Sequence, residues 1–299
     1  MQSVRNGDLV EEINRLFHDL TADSYHRVHP EIFKVQHSRL IRFVRTHLNG
    51  HFPVILDAGS GDGFMLSVIK IAGTPTYERF LMLDISYKML VRARENHPEA
   101  LAINASSMSI PLKDESIDLI TVNSVLHHLP EPETFLMEAR RILKKGGILF
   151  VNHEPNLRFS RNSILWHMSS IASRIVRNAN PVRSLRRIIA SIRGIRNPVY
   201  MEINRILKQK GLIDEFLPDA VISSYIDFHS PTAGMTRRGE GIDPDIFGKY
   251  FRVKHIETYA HLGKIGEKYS GRIVVQMESM LRRRYPMDGS KLTAILVKE

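Results

Sequence analysis

The sequence predicts a doubly wound, mostly parallel seven-stranded α/β sheet, preceded by N-terminal helices and interrupted by a helical lid insertion. Three observations predict it. The apolar run Val54-Ile55-Leu56 leads into Asp57 and the alternating glycines Gly59, Gly61 and Gly63, a strand that turns tightly into a helix. Apolar strands and amphipathic helices then alternate from residue 53 to residue 152. The strand pattern resumes near 253–259 and 292–298, after a long stretch that carries helical periodicity.

In chain order, residues 8–49 predict two helices, the second from about Pro30 to Leu48 with Ile32, Val35, Leu40 and Val44 available for burial. The core follows as strand 53–58, helix 62–72, strand 80–84, helix 86–96, strands 100–104 and 118–123, helix 131–144 and strand 147–152. Pro155 ends this run. Beyond it, Ile164, Met168, Ile171 and Ile175 share one helical face, and Leu185, Ile188, Ile192 and Ile195 share another, with Asn180-Pro181 between them. Residues 214–242 read as irregular, with one short apolar run from Val221 to Phe228. Asp243-Pro244 is a helix start, and a further helix at about 271–284 ends on Arg282-Arg283-Arg284. Four parts result: an N-terminal helical segment (1–50), a ligand-binding core (51–155), a basic helical insertion (156–242) and a C-terminal return to the sheet (243–299).

The glycine spacing separates this loop from two commoner ones. A dinucleotide fold needs its third glycine at position 64, which is Phe64, and a phosphate loop needs a Gly-Lys-Ser/Thr that does not follow. The acid-x-G-x-G-x-G form resembles motif I of the class I S-adenosylmethionine (SAM) dependent methyltransferases. Three further runs stand in the order that family uses: Phe80 to Asp84, Ser116 to Asn123 followed by Leu126-His127-His128-Leu129-Pro130, and Arg141 to Gly147. Together they resemble the methyltransferase type 11 group, over roughly residues 50–155.

The resemblance implies a Rossmann-like methyltransferase fold with SAM as cofactor and S-adenosylhomocysteine as product. It implies that Gly59, Ser60, Gly61 and Gly63 take the amino-acid portion of SAM, that Asp57 orients the loop or the cofactor amino group, and that Asp84 accepts both ribose hydroxyls. It places the adenine against Ile85, Ser106, Ser107 and Met108, with Asn123 at the next strand end. The family usually carries an acid on the adenine amino group. Ser106 takes its place here, with Asn104 two residues earlier, so the charge-assisted bond is lost.

In open α/β sheets ligands sit beyond the carboxyl ends of the strands, which puts His127, His128, His153 and Glu154 near the acceptor. His229, in the loop Asp227-Phe228-His229, joins them as a candidate proton acceptor. Each has a plainer reading: the His127-His128 pair packs or caps, His153-Glu154 closes a strand, and His229 is a solvated loop residue. No H-x-x-x-H or H-E-x-x-H spacing with a third ligand occurs where a site could form, so no metal is expected.

Composition bounds the rest. With 299 residues and 43% hydrophobic content the chain can bury a large core, and zero cysteines exclude disulfides, thiolate zinc sites and a cysteine nucleophile. The polar start MQSVRNGDLVEE has no apolar run that would serve as a signal or a span, so a cytoplasmic enzyme is expected. Net charge is +10, yet residues 156–213 alone hold twelve basic side chains against one acid, Glu202, so the basicity belongs to the insertion. Three readings of that insertion stand open: solvated arginines on a helical cap, attraction of an anionic acceptor or a peripheral membrane contact through 156–213, and nucleic acid. Asn123-Ser124-Val125-Leu126 lacks the N-P-P-aromatic motif of enzymes that methylate base amino groups, and Phe159, Trp166 and Tyr200 are its few aromatics, so nucleic acid is disfavoured. The expected function is methyl transfer to a small-molecule or lipid-like acceptor. The alternatives are a non-catalytic SAM-fold binding protein and an RNA or protein methyltransferase that uses the basic insertion.

Overall fold

A computed structural model describes residues 6–25, 36–178, 197–229, 240–269 and 271–299. Two helices come first, α1 (Asn6–Thr21) and α2 (Gln36–His47), with Leu40 and Val44 of α2 buried. Ile32 and Val35 lie outside the described residues. The core follows: β1 (Val54–Ala58), α3 (Phe64–Ala72), β2 (Arg79–Asp84), α4 (Tyr87–Asn96), β3 (Leu101–Asn104), β4 (Ile117–Asn123), α5 (Pro132–Ile142) and β5 (Leu143–Pro155). The remaining elements are α6 (Leu157–Arg161), α7 (Ser163–Asn178), α8 (Pro198–Gln209), α9 (Asp219–Ile226), β6 (Arg252–Tyr259), α10 (Lys264–Lys268), α11 (Arg272–Arg284) and β7 (Lys291–Val297).

The seven strands form one sheet in the order β3-β2-β1-β4-β5-β7-β6. β7 is antiparallel to both neighbours and the pairs among β1 to β5 are parallel, which is the mostly parallel doubly wound sheet that the sequence predicts. The order reverses between β1 and β4, where such a sheet opens a crevice at its carboxyl edge. Both faces are covered because successive side chains of one strand face opposite ways. Ile55 enters a cluster with Leu40, Val44, Met65 and Leu66 from α2 and α3, whereas Leu56 and Ala58 enter one with Phe135, Leu136 and Phe247.

Caps fix the local boundaries. The Ser86 side chain accepts from the N–H of Met89 at the start of α4, and Asn156 accepts from that of Arg158 at the start of α6. β5 runs longer than expected and shifts register against β7 between Asn152 and Glu154, with His153 at φ +61°. Such a bulge re-aims the next side chain.

The insertion divides between two neighbours. α6 and α7 pack with α10 and α11 through Phe159, Leu165, Leu262, Ile265 and Leu281. α8 and α9 pack on α1 through Ile203, Leu207, Ile222 and Ile226 against Ile13 and Leu16. Two expectations need correction. Ile164 and Ile171 are exposed, because Leu165 points into the small core and shifts the buried stripe of α7 round by one residue. α8 and α9 occupy sequence in which the residue pattern suggests no helix, and the Val221–Phe228 run is helical through Ile226. The helix expected at Leu185–Ile195 lies outside the described residues. Among the described residues no helix is long and apolar enough to cross a membrane.

Candidate functional site

At the carboxyl edge of β1, β2 and β4 a cleft encloses about 720 Å³, part of it open to solvent. Its floor is the loop after β1. Gly59 packs so closely on the turn after β4 that a Cβ there would come within 2.4 Å of Val125 Cγ2, and its φ of +70° suits glycine. Gly61, at φ +55°, differs: a Cβ there would meet no protein atom and would project into open space in the cleft wall. The backbone N–H groups of Gly59 and Ser60 donate to the Leu83 carbonyl at 2.7 and 2.9 Å, which ties the loop to β2.

Asp84 ends β2 in the cleft wall. Its Oδ2 accepts from Gly61 N–H and its Oδ1 from Ser86 N–H, each at 2.8 Å. Burial pushes its carboxyl up to about 6; the two backbone donors oppose the rise, and Asp19 and Asp62 add to it. Asp57 sits deeper. Burial raises it to about 7 against the hydrogen bond from Thr121 Oγ1 at 2.7 Å, with Asp84 and Asp62 adding to the rise. Asp57 Oδ2 and Ser60 Oγ are buried without a hydrogen-bond partner. Orphaned polar atoms beside a glycine floor open to a ligand, with the Asp84 carboxylate at its wall, fit the amino-acid and ribose portions of SAM.

On the adenine side Ile85 and Ser107 line the cleft. Asn104 Nδ2 donates to the Asp84 and Ile85 carbonyls, and Ser106 Oγ accepts from Met108 N–H, so both brace the loops around β2 and β3. Ser106 and Met108 are not among the cleft-lining residues. Gly63 starts α3 beside His97.

The roof comes from α1, a contribution that the motifs do not signal. Glu11, Asn14 and His18 line the cleft with Tyr25, Met89, Ser124, Val125, Leu129 and Pro130. α1 is held there by Asn14 Nδ2, which donates to the Tyr225 carbonyl at 2.8 Å. Asp19 Oδ1 accepts from Ser86 Oγ at 2.6 Å and so pins α1 to the start of α4. The only legible hint was amphipathy, with Val10, Ile13 and Leu16 at helical spacing.

The histidines separate by position. His128 lines the cleft beside Asn123. Burial and the neighbouring His127 lower it to about 4, with Asp227 opposing, and its Nδ1 donates to the Ile226 carbonyl. His127 lies behind it, with Nδ1 2.8 Å from Glu154 Oε2. Glu154, re-aimed by the β5 bulge and fully buried, accepts from the N–H groups of Val125, Leu126 and His127 at 2.7, 2.9 and 3.2 Å. Burial opposes its charge, but His127 and these donors hold its carboxyl below the ordinary value. His153 faces away from the cleft toward Tyr259, Nδ1 to hydroxyl 2.6 Å, and burial holds it far below the usual histidine range. His229 closes the turn: its N–H donates to the His127 carbonyl at 2.8 Å and its Nε2 lies 3.4 Å from the Pro130 carbonyl. Of the five candidates expected near the acceptor, the cleft takes in His128 alone among the described residues.

Residues 56–151 match the family model for a methyltransferase domain. A protein of Mycobacterium tuberculosis named as a probable S-adenosylmethionine-dependent methyltransferase is 26% identical over 36% of this chain and 37% of its own. The phosphatidylethanolamine N-methyltransferase of Cereibacter sphaeroides is 27% identical over 45% of this chain and 72% of its own. The chain spans about half or less of the length of the first curated relatives it matches, 49% and 37%. In fold, a SAM-dependent methyltransferase from Thermotoga maritima superposes with a TM-score of 0.50 at 14% identity, covering 96% of this chain and 100% of that one.

Proposed function

We propose that this chain, whose residues 56–151 match the methyltransferase domain model, transfers a methyl group from SAM to a small-molecule or lipid-like acceptor held under α1. The observation that carries the reading is a single cleft joining the glycine floor and Asp84 to the underside of α1 and to His128. SAM supplies an activated methyl on a sulfonium, which a nucleophilic acceptor displaces in line. The chain supplies placement, which for such a displacement is worth up to roughly 7 to 11 kcal/mol. Gly61 and Ser60 would receive the amino-acid portion, Asp84 the ribose hydroxyls, and Ile85 and Ser107 the adenine. Glu11, Asn14, His18, Tyr25 and His128 would hold the acceptor and exclude water from above.

The acceptor class has support from two sides. The cleft lining is short of cationic groups among the described residues, which suits a neutral or amine-bearing molecule better than a polyanion. One relative acts, by its name, on an aminolipid. The test combines calorimetry with S-adenosylhomocysteine and label transfer from methyl-labelled SAM to a panel of quinols, phenols, alkylamines and aminolipid vesicles. Binding with transfer to one member is the expected result. Binding without transfer to any member would favour a non-catalytic SAM-fold protein, and no binding would overturn the reading.

A further inference from the structure

We propose that His127, His128 and Asp227 form a binding site for one divalent transition-metal ion of the zinc class, at the acceptor end of the cleft. One ligand atom from each lies within 4.8 Å of the other two. Asp227 Oδ1 is 3.9 Å from His127 Nε2 and 3.9 Å from His128 Nδ1. These separations are too long for hydrogen bonds. Asp227 caps the carboxyl end of α9. Two imidazoles and a carboxylate are a donor set that suits zinc, nickel or iron.

The surroundings support an ion over a loose histidine pair. Glu154 Oε2 meets His127 Nδ1 at 2.8 Å. A carboxylate behind a ligating imidazole fixes the tautomer and turns the other nitrogen outward as a lone pair, and here that nitrogen is the one that faces Asp227. Glu154 is itself immobilised by three backbone donors, so the first ligand is preset. Tetrahedral zinc with bonds near 2.1 Å spaces its ligand atoms about 3.4 Å apart, so the three groups must close by roughly an ångström. Asp227 is 39% exposed and closes most readily, and His128 must shift its proton from Nδ1 to Nε2, releasing the Ile226 carbonyl, before Nδ1 takes the ion. Three protein ligands leave a fourth position open, and His128 borders the cleft, so that position would bind an acceptor oxygen or nitrogen. The ion would also clamp α9 to the turn after β4.

Only the acceptor role of the open position rests on the methyltransferase reading; the binding of the ion does not, and its test needs no turnover. The full chain, stripped with a chelator, is titrated with zinc by calorimetry and with cobalt by visible absorption, whose ligand-field bands report tetrahedral binding. One equivalent is expected to bind. Asp227→Ser, at a half-exposed position, and His127→Gln are each expected to weaken binding by about ten-fold or more while the far-ultraviolet circular dichroism is unchanged; Glu154→Gln is expected to weaken it by about 10- to 100-fold. His255→Ala, which removes one ring of the His47–His255 pair elsewhere, is the control for adventitious histidine binding and is expected to leave the titration unaltered. No uptake, uptake unaffected by Asp227→Ser and His127→Gln, or equal loss in His255→Ala would each overturn the site. Calorimetry with S-adenosylhomocysteine on the same samples keeps the two proposals separable, since failure to bind it leaves a positive metal result standing.

Discussion

Single residues at the floor of the cleft divide structural from ligand-facing roles. Gly59→Ala drives a Cβ to 2.4 Å from Val125 and is expected to destabilise the fold. Gly61→Val meets no protein atom at its Cβ, so its folding cost is the left-handed backbone, about 1 to 2 kcal/mol, while its side chain occupies the ligand's space. Chemical denaturation and calorimetry on the pair should therefore split: Gly61→Val loses S-adenosylhomocysteine with the fold retained, and Gly59→Ala loses stability more steeply. Asp84→Ala should cost about 1 to 3 kcal/mol of cofactor binding, and equal affinity in that variant would defeat the assignment. Its pH dependence carries a sign. The carboxyl is raised to about 6, so the ionised acceptor form dominates above that pH, and affinity should fall as pH drops from 7 to 5. Asp57 acts on stability in the opposite sense from a paired carboxylate. Its folded value is near 7, above the ordinary 3.8, so the native state holds the extra proton and stability declines as pH rises from about 4 to 7. Asp57→Asn should remove that decline, and parallel unfolding slopes for the two proteins across that range would show that the buried carboxyl is not responsible.

At the scale of elements, the cover over the cleft draws on α1, which is anchored there through side chains such as Asn14 and Asp19. Ile13 is fully buried among Ile203, Leu207, Ile222 and Ile226, so Ile13→Ala should cost about 2 to 5 kcal/mol. Much of that should appear as local opening of α1 together with α8 and α9. Hydrogen exchange should therefore speed up in α1, α8 and α9 of this variant while β1, β2 and β4 stay protected, and S-adenosylhomocysteine should slow exchange in α1 of the parent protein. Exchange that is uniform across all these elements would contradict the lid role. The core strands were legible because a parallel sheet buried on both faces imposes continuous apolar runs, and the β1 loop because its geometry leaves little choice but glycine. α1 as roof, the bulge at His153 and the turn of Glu154 toward Val125–His127 were not legible. Each depends on contacts more than 20 residues distant, such as Asn14 with Tyr225, which leave no local periodicity. The chemistry of His128 was readable as a residue type, but its separation from His153 was not, since one strand irregularity decides which histidine faces the cleft.

For the whole molecule, charge and chemistry occupy different places. Net charge is +10, while the cleft lining includes Glu11 and Asp84. Several described cations of the insertion are already engaged at the surface: Arg158 with Asp245 at 2.7 Å, Lys210 with Glu12 at 2.8 Å and Arg205 with Glu202 at 2.7 Å. A polyanion drawn to the basic surface would meet carboxylates on entering the cleft, so attraction and chemistry would oppose each other there. Methyl transfer is accordingly expected on small or lipid-like molecules and not on RNA or DNA. Any nucleic acid binding should be of the weak, sequence-independent kind that collapses as salt rises, because it would rest on counterion release from exposed arginines. Arg183, Arg186 and Arg187, which lie outside the described residues, test the point from sequence alone. Neutralising all three should flatten the salt dependence of nucleic acid binding and leave S-adenosylhomocysteine affinity unchanged. Tight RNA binding that survives moderate salt, accompanied by label transfer from SAM into the RNA, would show that the basic surface delivers the acceptor and that the cleft admits a base.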